Sequence, residues 1–592
     1  MSQKKLKKLR KEVDGNQDKP IVEKVQGVRE ILKKNWKFLL ILMIGIVALY
    51  FNSLWGDYVS DDYASITQNA DIMSVKAAWL SSPVSFFANF YKTMIAKIFG
   101  IGSSIPFHVG NLALYLLICI VAFIFLSLFF DNLIVRIALV IFAVLPVHVE
   151  AVSWISGEPY LITSLLVLSQ LVNLVLYLKT KNKKYLFFLL LFGAISFFTD
   201  RIRGFSFVLI LGLILISFPE KIKIKFNILN VLMAVLLAFG VLLMVAWPMI
   251  NTRIASVNSG VNSSESNFYN PFFQYPTAIT KYLQLILIPT DLTLYHTMYI
   301  IPWQLNWLIL LTYLLAVIWF FFKNKRIFFA LAFILTATAP SMAPVKVSWL
   351  VAERYVFLGS LGATLLMAIF FEKWWQKRKI ITVIGLSLLC LIYTGRVFLR
   401  NIDWQTNHKL WVRTCQVSSN SHNAWNNIGD DYDKLATIET TNEGKMQQYY
   451  NSIKGFGQSY AVKPNYADAY HNQANIFYKI GRLDLARNAY ETAISYNPGL
   501  FQTYLTLLQI DMAQKNETEL MRHLAIIQKI KPNDLQVAYI SAVAYAQMGK
   551  TEEAKQLADT MYKQFPNVAE IKNLYESLNK PEATQGAIIK TE

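Results

Sequence analysis

Two adjacent carboxylates follow the first long apolar stretch of the chain, in the sequence Asp57-Tyr-Val-Ser-Asp-Asp-Tyr63. Asp61 and Asp62 are costly to desolvate beside a membrane, and their like charges repel each other. This coupling is expected to raise one apparent pKa of the pair, without assigning it to either residue. A carboxylate with a raised pKa is suited to accept a proton near neutral pH, so the pair is a candidate general base.

Further charged clusters lie at the ends of later apolar stretches. They are His148 with Glu150 and the nearby Glu158, Asp200 with Arg203, and Lys346 with Glu353 and Arg354. Threading the chain through a membrane brings these clusters to the external face. Any one cluster is equally consistent with a solvated helix end. Together, however, carboxylates and arginines at one membrane surface favour a reaction between a water-side acceptor and a lipid-borne phosphate.

The chemistry that these residue types support is a group transfer. A carboxylate accepts the proton of an acceptor hydroxyl as the oxygen attacks an anomeric carbon, and a guanidinium neutralises the departing phosphate. Asp61 or Asp62 is the predicted base. Arg354 is the predicted phosphate clamp, because a planar guanidinium can bind a phosphate through two parallel hydrogen bonds.

Composition places these clusters in a membrane protein. Of the 592 residues, 54% are apolar and 14% are aromatic, and the mean hydropathy of +0.36 is too high for a soluble globular chain. The formal net charge is +19. The Lys and Arg residues of the chain lie mainly in short segments between apolar runs, as the positive-inside rule predicts. We therefore predict an integral protein of the inner or plasma membrane with no nucleic-acid partner.

Hydropathy divides the chain into four segments. Residues 1–36 are predicted to form a basic cytoplasmic tail, 37–400 a transmembrane domain with an external loop at 55–108, 401–580 a repeat domain, and 581–592 a second tail. We predict about eleven spans. They lie at about 38–54, 109–130, 133–147, 160–178, 185–199, 204–218, 228–248, 306–322, 327–343, 354–371 and 380–397. The apolar piece at 279–289 is predicted to be re-entrant or interfacial, with a full crossing left open.

A repeat appears where the hydropathy falls, after residue 400. Pro464, Pro498, Pro532 and Pro566 are separated by 34 residues each time, which is the tetratricopeptide period. This period predicts four helical pairs stacked as a short solenoid, a type of domain that commonly binds a peptide or protein on its concave surface. The predicted fold class is therefore all-α, a helical membrane domain followed by an α-solenoid.

The order of four motifs resembles the transmembrane and tetratricopeptide repeat-containing (TMTC) family, relatives of the protein O-mannosyltransferases with a GT-C membrane fold. The motifs are Ser60-Asp-Asp-Tyr-Ala-Ser-Ile-Thr-Gln-Asn-Ala-Asp71, Pro146-Val-His-Val-Glu-Ala-Val152 with Gly157, Ala352-Glu-Arg-Tyr-Val-Phe-Leu-Gly-Ser-Leu-Gly362, and Asn401-x-x-Trp404. The resemblance covers nearly the whole chain after residue 35. The order of the motifs is more specific than any one of them.

The resemblance implies transfer of a mannose-like sugar from a polyprenyl-phosphate carrier to a protein hydroxyl. Asp61 and Asp62 match the catalytic positions. The residues expected to bind the donor and its phosphate are Arg354, Glu353, His148, Glu150, Arg203 and Lys346. The partners so implied are the lipid-linked sugar, an acceptor protein or peptide, and membrane lipid. A divalent cation is possible, but the carboxylate pair is the only feature of the sequence that favours one, so no metal ligand is assigned.

Departures from the family pattern leave the identity of the sugar open. This chain has Leu145 where the family usually has His, Glu158-Pro-Tyr in place of an Arg-Ala-Asp triplet, and Thr199-Asp200 in place of a Lys-Glu pair. These changes surround the expected donor.

Two other functions stay in view. One is a GT-C enzyme that glycosylates a lipid or an envelope glycan, and the other is a non-catalytic membrane scaffold that presents its repeats to partners. A pore or transporter is disfavoured, because the charges gather at one surface and do not run through the depth of the bilayer.

An odd number of spans, starting from a cytoplasmic amino terminus, sends the repeats to the periplasmic, extracellular or lumenal side. A topology reporter fused after Pro464 is therefore expected to be active only on that side. A reporter fused after Lys37 serves as the cytoplasmic control. Cytoplasmic activity of the Pro464 fusion would show that the span count is even.

Overall fold

The computed structural model describes residues 27–222, 270–342 and 349–579, with four single residues inside 223–269. All regular elements in these ranges are helices, which confirms the all-α class. The chain forms two compact units, Met1–Leu410 and Trp411–Glu592. Several predicted features lie outside the described residues, namely most of the amino-terminal tail, the span at 228–248, most of the loop after it, Lys346 and the tail at 581–592.

Five helices of the first unit are long and apolar enough to cross a membrane, as expected for a membrane protein. They are Val28–Ser53, Ile105–Ser127, Ile155–Thr180, Trp303–Lys323 and Lys379–Asp403. A sixth span results if Asn132–Ala143 and Pro146–Ser153 are counted as one helix bent by 57°. The bend falls where Pro146 lacks the N–H that would continue the helical hydrogen bonds.

Four more predicted spans coincide with shorter apolar helices of 12 to 16 residues. These are Lys183–Phe197, Ser206–Ser217, Lys325–Thr338 and Ser360–Trp375. Each is shorter than the roughly 20 residues that a straight crossing requires. The piece at 279–289 belongs mostly to the 17-residue helix Pro271–Leu287, in which ten residues are buried. This helix therefore packs within the protein.

The segment between the first two membrane helices contains the helices Val75–Ser81 and Phe86–Phe99. Gly100, with φ of 76°, ends the second one in a conformation that favours glycine. Large apolar side chains on these helices are exposed, including Leu80 at 66% and Phe99 at 65%. Exposed apolar side chains on short helices are typical of elements that lie in a membrane interface.

The second unit contains the four predicted helical pairs. They are His422–Ile438 with Asn442–Val462, Ala467–Lys479 with Leu483–Tyr496, Phe501–Gln514 with Glu517–Ile530, and Leu535–Gln547 with Thr551–Gln564. A last helix, Ala569–Asn579, follows. Ala474, Ala486 and Tyr490 are fully buried where the repeat pattern places its packing residues. The solenoid therefore follows from small and aromatic residues at fixed positions of each repeat.

One buried histidine joins neighbouring helices of this solenoid. His523 Nδ1 lies 2.7 Å from Asp511 Oδ2, and its Nε2 lies 3.0 Å from Glu491 Oε1. Burial alone would lower the pKa of His523, but its hydrogen bonds to Asp511 and Glu491 outweigh burial, and the pKa is raised. The folded state therefore binds this proton more tightly than the unfolded chain does.

The stabilisation from protonated His523 is expected to be complete below about pH 6.5, the unfolded pKa, and to be lost as the pH rises through the raised folded pKa. Thermal unfolding of residues 411–579 should show that His523→Gln costs roughly 1.5–3 kcal/mol at pH 6 and less at pH 9. His471 is the control, because burial lowers its pKa. An equal cost of His523→Gln at both values would contradict a protonated His523.

Candidate active site

The loop that carries the two aspartates is anchored to the chain beyond the last membrane helix of the first unit. The amide of Asp57 donates to the carbonyl oxygen of Gln405 at 2.8 Å, and the amide of Ser60 donates to Asn407 Oδ1 at 3.0 Å. Ser60 has a φ of 53°, an uncommon conformation for a residue other than glycine. The backbone therefore turns sharply just before Asp61.

Asp62 is fully buried and holds two segments together. Its carboxylate accepts hydrogen bonds from the amide of Val59 at 3.0 Å, and from the amide and hydroxyl of Ser156 at 2.9 and 2.5 Å. Burial raises the pKa of Asp62 to about 7. The hydrogen bonds from Val59 and Ser156 lower this pKa, and the negative charge of Glu158 raises it further. The raised pKa thus comes chiefly from burial, and the like charge that adds to it is Glu158 and not the expected Asp61.

Asp61 has a different environment, although it is the next residue. Its side chain is exposed, and it lines a cavity of about 360 Å³ that Asp62 does not line. The same cavity is lined by Lys92, Glu158, Tyr160, Arg203 and Arg354. Its volume is within the range of small-molecule sites, about 300–1,000 Å³. Of the two carboxylates, Asp61 is therefore the one that can reach a bound molecule.

Arg354 is held in the wall of this cavity by Glu150. The guanidinium forms an ion pair with the Glu150 carboxylate, which also accepts the amide of Arg354 at 2.8 Å. Arg354 Nε donates to the Tyr160 hydroxyl at 3.1 Å. Glu150 itself is fully buried and does not line the cavity. Glu150 therefore orients Arg354, and only the arginine faces a bound molecule.

Arg203 meets Arg354 at the same phenol. Arg203 Nη2 donates to the Tyr160 hydroxyl at 2.8 Å, and its guanidinium lies 4.0 Å from the centroid of the Tyr160 ring. Asp200 forms an ion pair with Arg203. In the described chain, Nε of Arg203 has no hydrogen-bond partner. Two guanidiniums fixed at one oxygen, each also paired with a carboxylate, present a group of N–H donors that suits an anion such as a phosphate.

A buried ion pair lies elsewhere in the cavity wall. Lys92 Nζ is 3.1 Å from Glu158 Oε1, and the Glu158 side chain is only 1% exposed. Lys92 and Asn89 also line a second cavity of about 500 Å³, between the aspartate loop and the helices Val75–Ser81 and Phe86–Phe99. The side chain of Lys92 therefore borders both cavities.

Some residues predicted to bind the donor lie away from the cavity. Glu353 is buried against Arg400, with Oε1 to Nη2 at 3.1 Å, and it accepts the amide of Thr293 at 2.6 Å. Burial would raise the pKa of Glu353, but Arg400 and His296 lower it overall. His148 is fully buried between the Tyr115 hydroxyl at 2.9 Å and Ser360 Oγ at 2.8 Å. Neither residue lines the cavity.

The donor set for a divalent cation can be tested on the described residues. Among them, the one group of three His, Cys, Asp or Glu ligand atoms that lie close together is Glu491, Glu519 and His523, in the second unit. Arg522 already pairs with both of these glutamates. The described carboxylates of the cavity do not form such a group, so no step at this site is assigned to a metal.

Three residues of the cavity escape prediction from sequence. Tyr160 directly follows Glu158-Pro159, yet a tyrosine near a helix start carries no chemical signal. Ser156 binds Asp62 across 94 residues of chain, and Lys92 is a lone cation in an aromatic helix. The charged residues at span ends, Asp61, Glu158, Asp200, Arg203 and Arg354, are the local signals in the sequence that pointed to this cavity.

Comparisons with known proteins match the repeats of the second unit. The tetratricopeptide repeat family matches residues 467–500 and, through a second model, residues 536–567. Among solved structures, the crystal structure of YrrB, described as a TPR protein with an unusual peptide-binding site, covers 35% of this chain and 97% of its own. The identity is 14% and the TM-score is 0.24.

Curated relatives cover both units. The human protein O-mannosyl-transferase TMTC3 is 23% identical over 620 residues, which is 87% of this chain and 66% of the relative. The Caenorhabditis elegans protein O-mannosyl-transferase F38B6.6 is 24% identical over 467 residues, 72% of this chain and 63% of the relative. The chain thus spans just under two thirds of the length of these relatives. With its apolar helices and its repeats, the chain is similar to the transmembrane and tetratricopeptide repeat-containing proteins over most of its length.

Proposed function

We propose that this chain is a membrane glycosyltransferase that moves a mannose-like sugar from a polyprenyl-phosphate carrier to serine or threonine hydroxyls of a protein on the external side of the membrane. The observation that carries the proposal is the single cavity shared by an exposed carboxylate, Asp61, and two fixed guanidiniums, Arg203 and Arg354. A base and a phosphate site in one cavity are the two parts that this transfer requires.

The proposed reaction needs no group beyond the donor and the acceptor. The acceptor hydroxyl gives its proton to Asp61 while its oxygen forms a bond to the anomeric carbon of the sugar. The bond between that carbon and the phosphate oxygen breaks, and the electron pair leaves with the phosphate. Arg354 and Arg203 stabilise the charge that develops on the leaving phosphate, and this charge stabilisation lowers the barrier.

The neighbouring residues have supporting roles in this proposal. Asp62 positions the loop through Ser156, so Asp61 is the base and Asp62 is a positioning residue. Glu150 and Asp200 orient the two arginines. The names of the curated relatives, protein O-mannosyl-transferases, support mannose as the sugar and protein as the acceptor. We further propose that the repeats bind the acceptor polypeptide, as solenoids of this type commonly do.

Asp61→Asn is expected to lower kcat by about 10²- to 10⁴-fold, because it removes the general base. Its unfolding temperature should stay that of the wild type, since Asp61 is exposed. The measurement is transfer from a panel of polyprenyl-phosphate sugars to a serine- and threonine-containing peptide by the purified full chain. Asp57→Asn, an exposed residue of the same loop outside the cavity, is the matched control.

Asp62→Asn separates the two aspartates in the same assay. The NH2 group of an asparagine would face either the Val59 amide or the amide and hydroxyl of Ser156, which are hydrogen-bond donors in the wild type. This variant is therefore expected to have a lower unfolding temperature as well as reduced transfer. Full transfer by Asp61→Asn would contradict its role as the base. A deletion strain that keeps its glycopeptides but loses an envelope glycolipid would instead favour a lipid or glycan acceptor. Full complementation of that strain by Asp61→Asn with Asp62→Asn would favour a non-catalytic scaffold.

A further inference from the structure

Glu158 is a buried carboxylate of the cavity that the proposed transfer does not use. Its side chain is 1% exposed, and Lys92 Nζ at 3.1 Å is its ion-pair partner. Apart from Lys92 and the amide of Glu158 itself, no described residue donates a hydrogen bond to this carboxylate. A carboxylate has about four acceptor positions, and leaving buried positions without donors costs free energy. The remaining donors are therefore expected on a molecule that enters the cavity.

The other walls of the cavity limit what that molecule presents to Glu158. In the proposed function the two arginines supply N–H donors for a phosphate, and Asp61 supplies the base. A sugar joined to that phosphate carries hydroxyl groups, which are hydrogen-bond donors. A carboxylate with vacant acceptor positions suits such hydroxyls, and a negatively charged group is unsuited to a second phosphate.

We propose that Glu158 accepts hydrogen bonds from hydroxyls of the donor sugar and so determines which sugar the cavity binds, while Lys92 holds the carboxylate in place. The proposal rests on the proposed function for the identity of the phosphate-linked sugar. A site that hydrogen-bonds a substrate hydroxyl discriminates strongly against an analogue that lacks it, because its own polar group is then left unpaired.

The test measures binding of donors separately from transfer. Purified full-length chain in nanodiscs is titrated, without acceptor, with a short-chain polyprenyl-phosphate mannose and with its 2-, 3-, 4- and 6-deoxy analogues. We expect the wild type to bind at least one deoxy analogue about tenfold or more weakly than the parent. We expect Glu158→Gln to bind the parent more weakly and to lose most of that discrimination, with transfer changed mainly through KM. Glu220→Gln, an exposed glutamate outside the cavity, is the matched control.

Unchanged discrimination in Glu158→Gln would overturn the inference, and so would a wild type that does not discriminate among the deoxy donors. If Glu158→Gln does not fold, Glu158→Gln with Lys92→Met removes both charges and is judged by the same criterion. A loss of donor binding on chelation that is seen in the wild type and not in Glu158→Gln would show that a cation occupies this position, which also overturns the inference. Donor binding with discrimination but no transfer to any peptide would overturn the proposed function alone.

Discussion

The cost of burying charge within an apolar domain governs the candidate site. Arg354 is buried, so its guanidinium requires a partner of opposite charge. The Glu150 carboxylate is that partner, and it also accepts a hydrogen bond from the backbone amide of Arg354. This pair brings the short 3₁₀ segment at Glu353–Val356 to the segment that follows Pro146. Tyr160 then links Arg354 to Arg203. Replacing Glu150 alone would leave a buried charge unpaired, so the position of Arg354 in the cavity wall depends on Glu150.

The same physics separates the two neighbouring aspartates. Ser60, which precedes Asp61, has a left-handed backbone conformation. The Asp62 side chain is buried and accepts three hydrogen bonds, whereas Asp61 lines the cavity. A buried carboxylate near its pKa at neutral pH resembles a general base when it is considered alone. Access to the cavity, and not the raised pKa, decides which residue can take a proton from a bound acceptor.

Much of the fold and part of the candidate site can be predicted from the sequence, and the remainder depends on packing between residues that are far apart in the chain. The 34-residue spacing of Pro464, Pro498, Pro532 and Pro566 predicts the solenoid, because the same packing contacts recur in every repeat. Asp61, Arg203 and Arg354, which the sequence places at span ends, line one cavity. The burial of His148 and Glu353 against Ser360 and Arg400 is invisible in a linear pattern. The same holds for the link between Ser156 and Asp62, because its partners are far apart in the chain.

The central claim is that one cavity binds a lipid-linked sugar phosphate at its two arginines beside Asp61. An experimental structure of the full-length protein in nanodiscs with a non-transferable polyprenyl-phosphonate sugar tests this claim most directly. The account predicts the phosphonate within hydrogen-bond distance of Arg354 and Arg203, with the anomeric carbon facing Asp61. A phosphonate bound elsewhere, or a sugar facing away from Asp61, would contradict it.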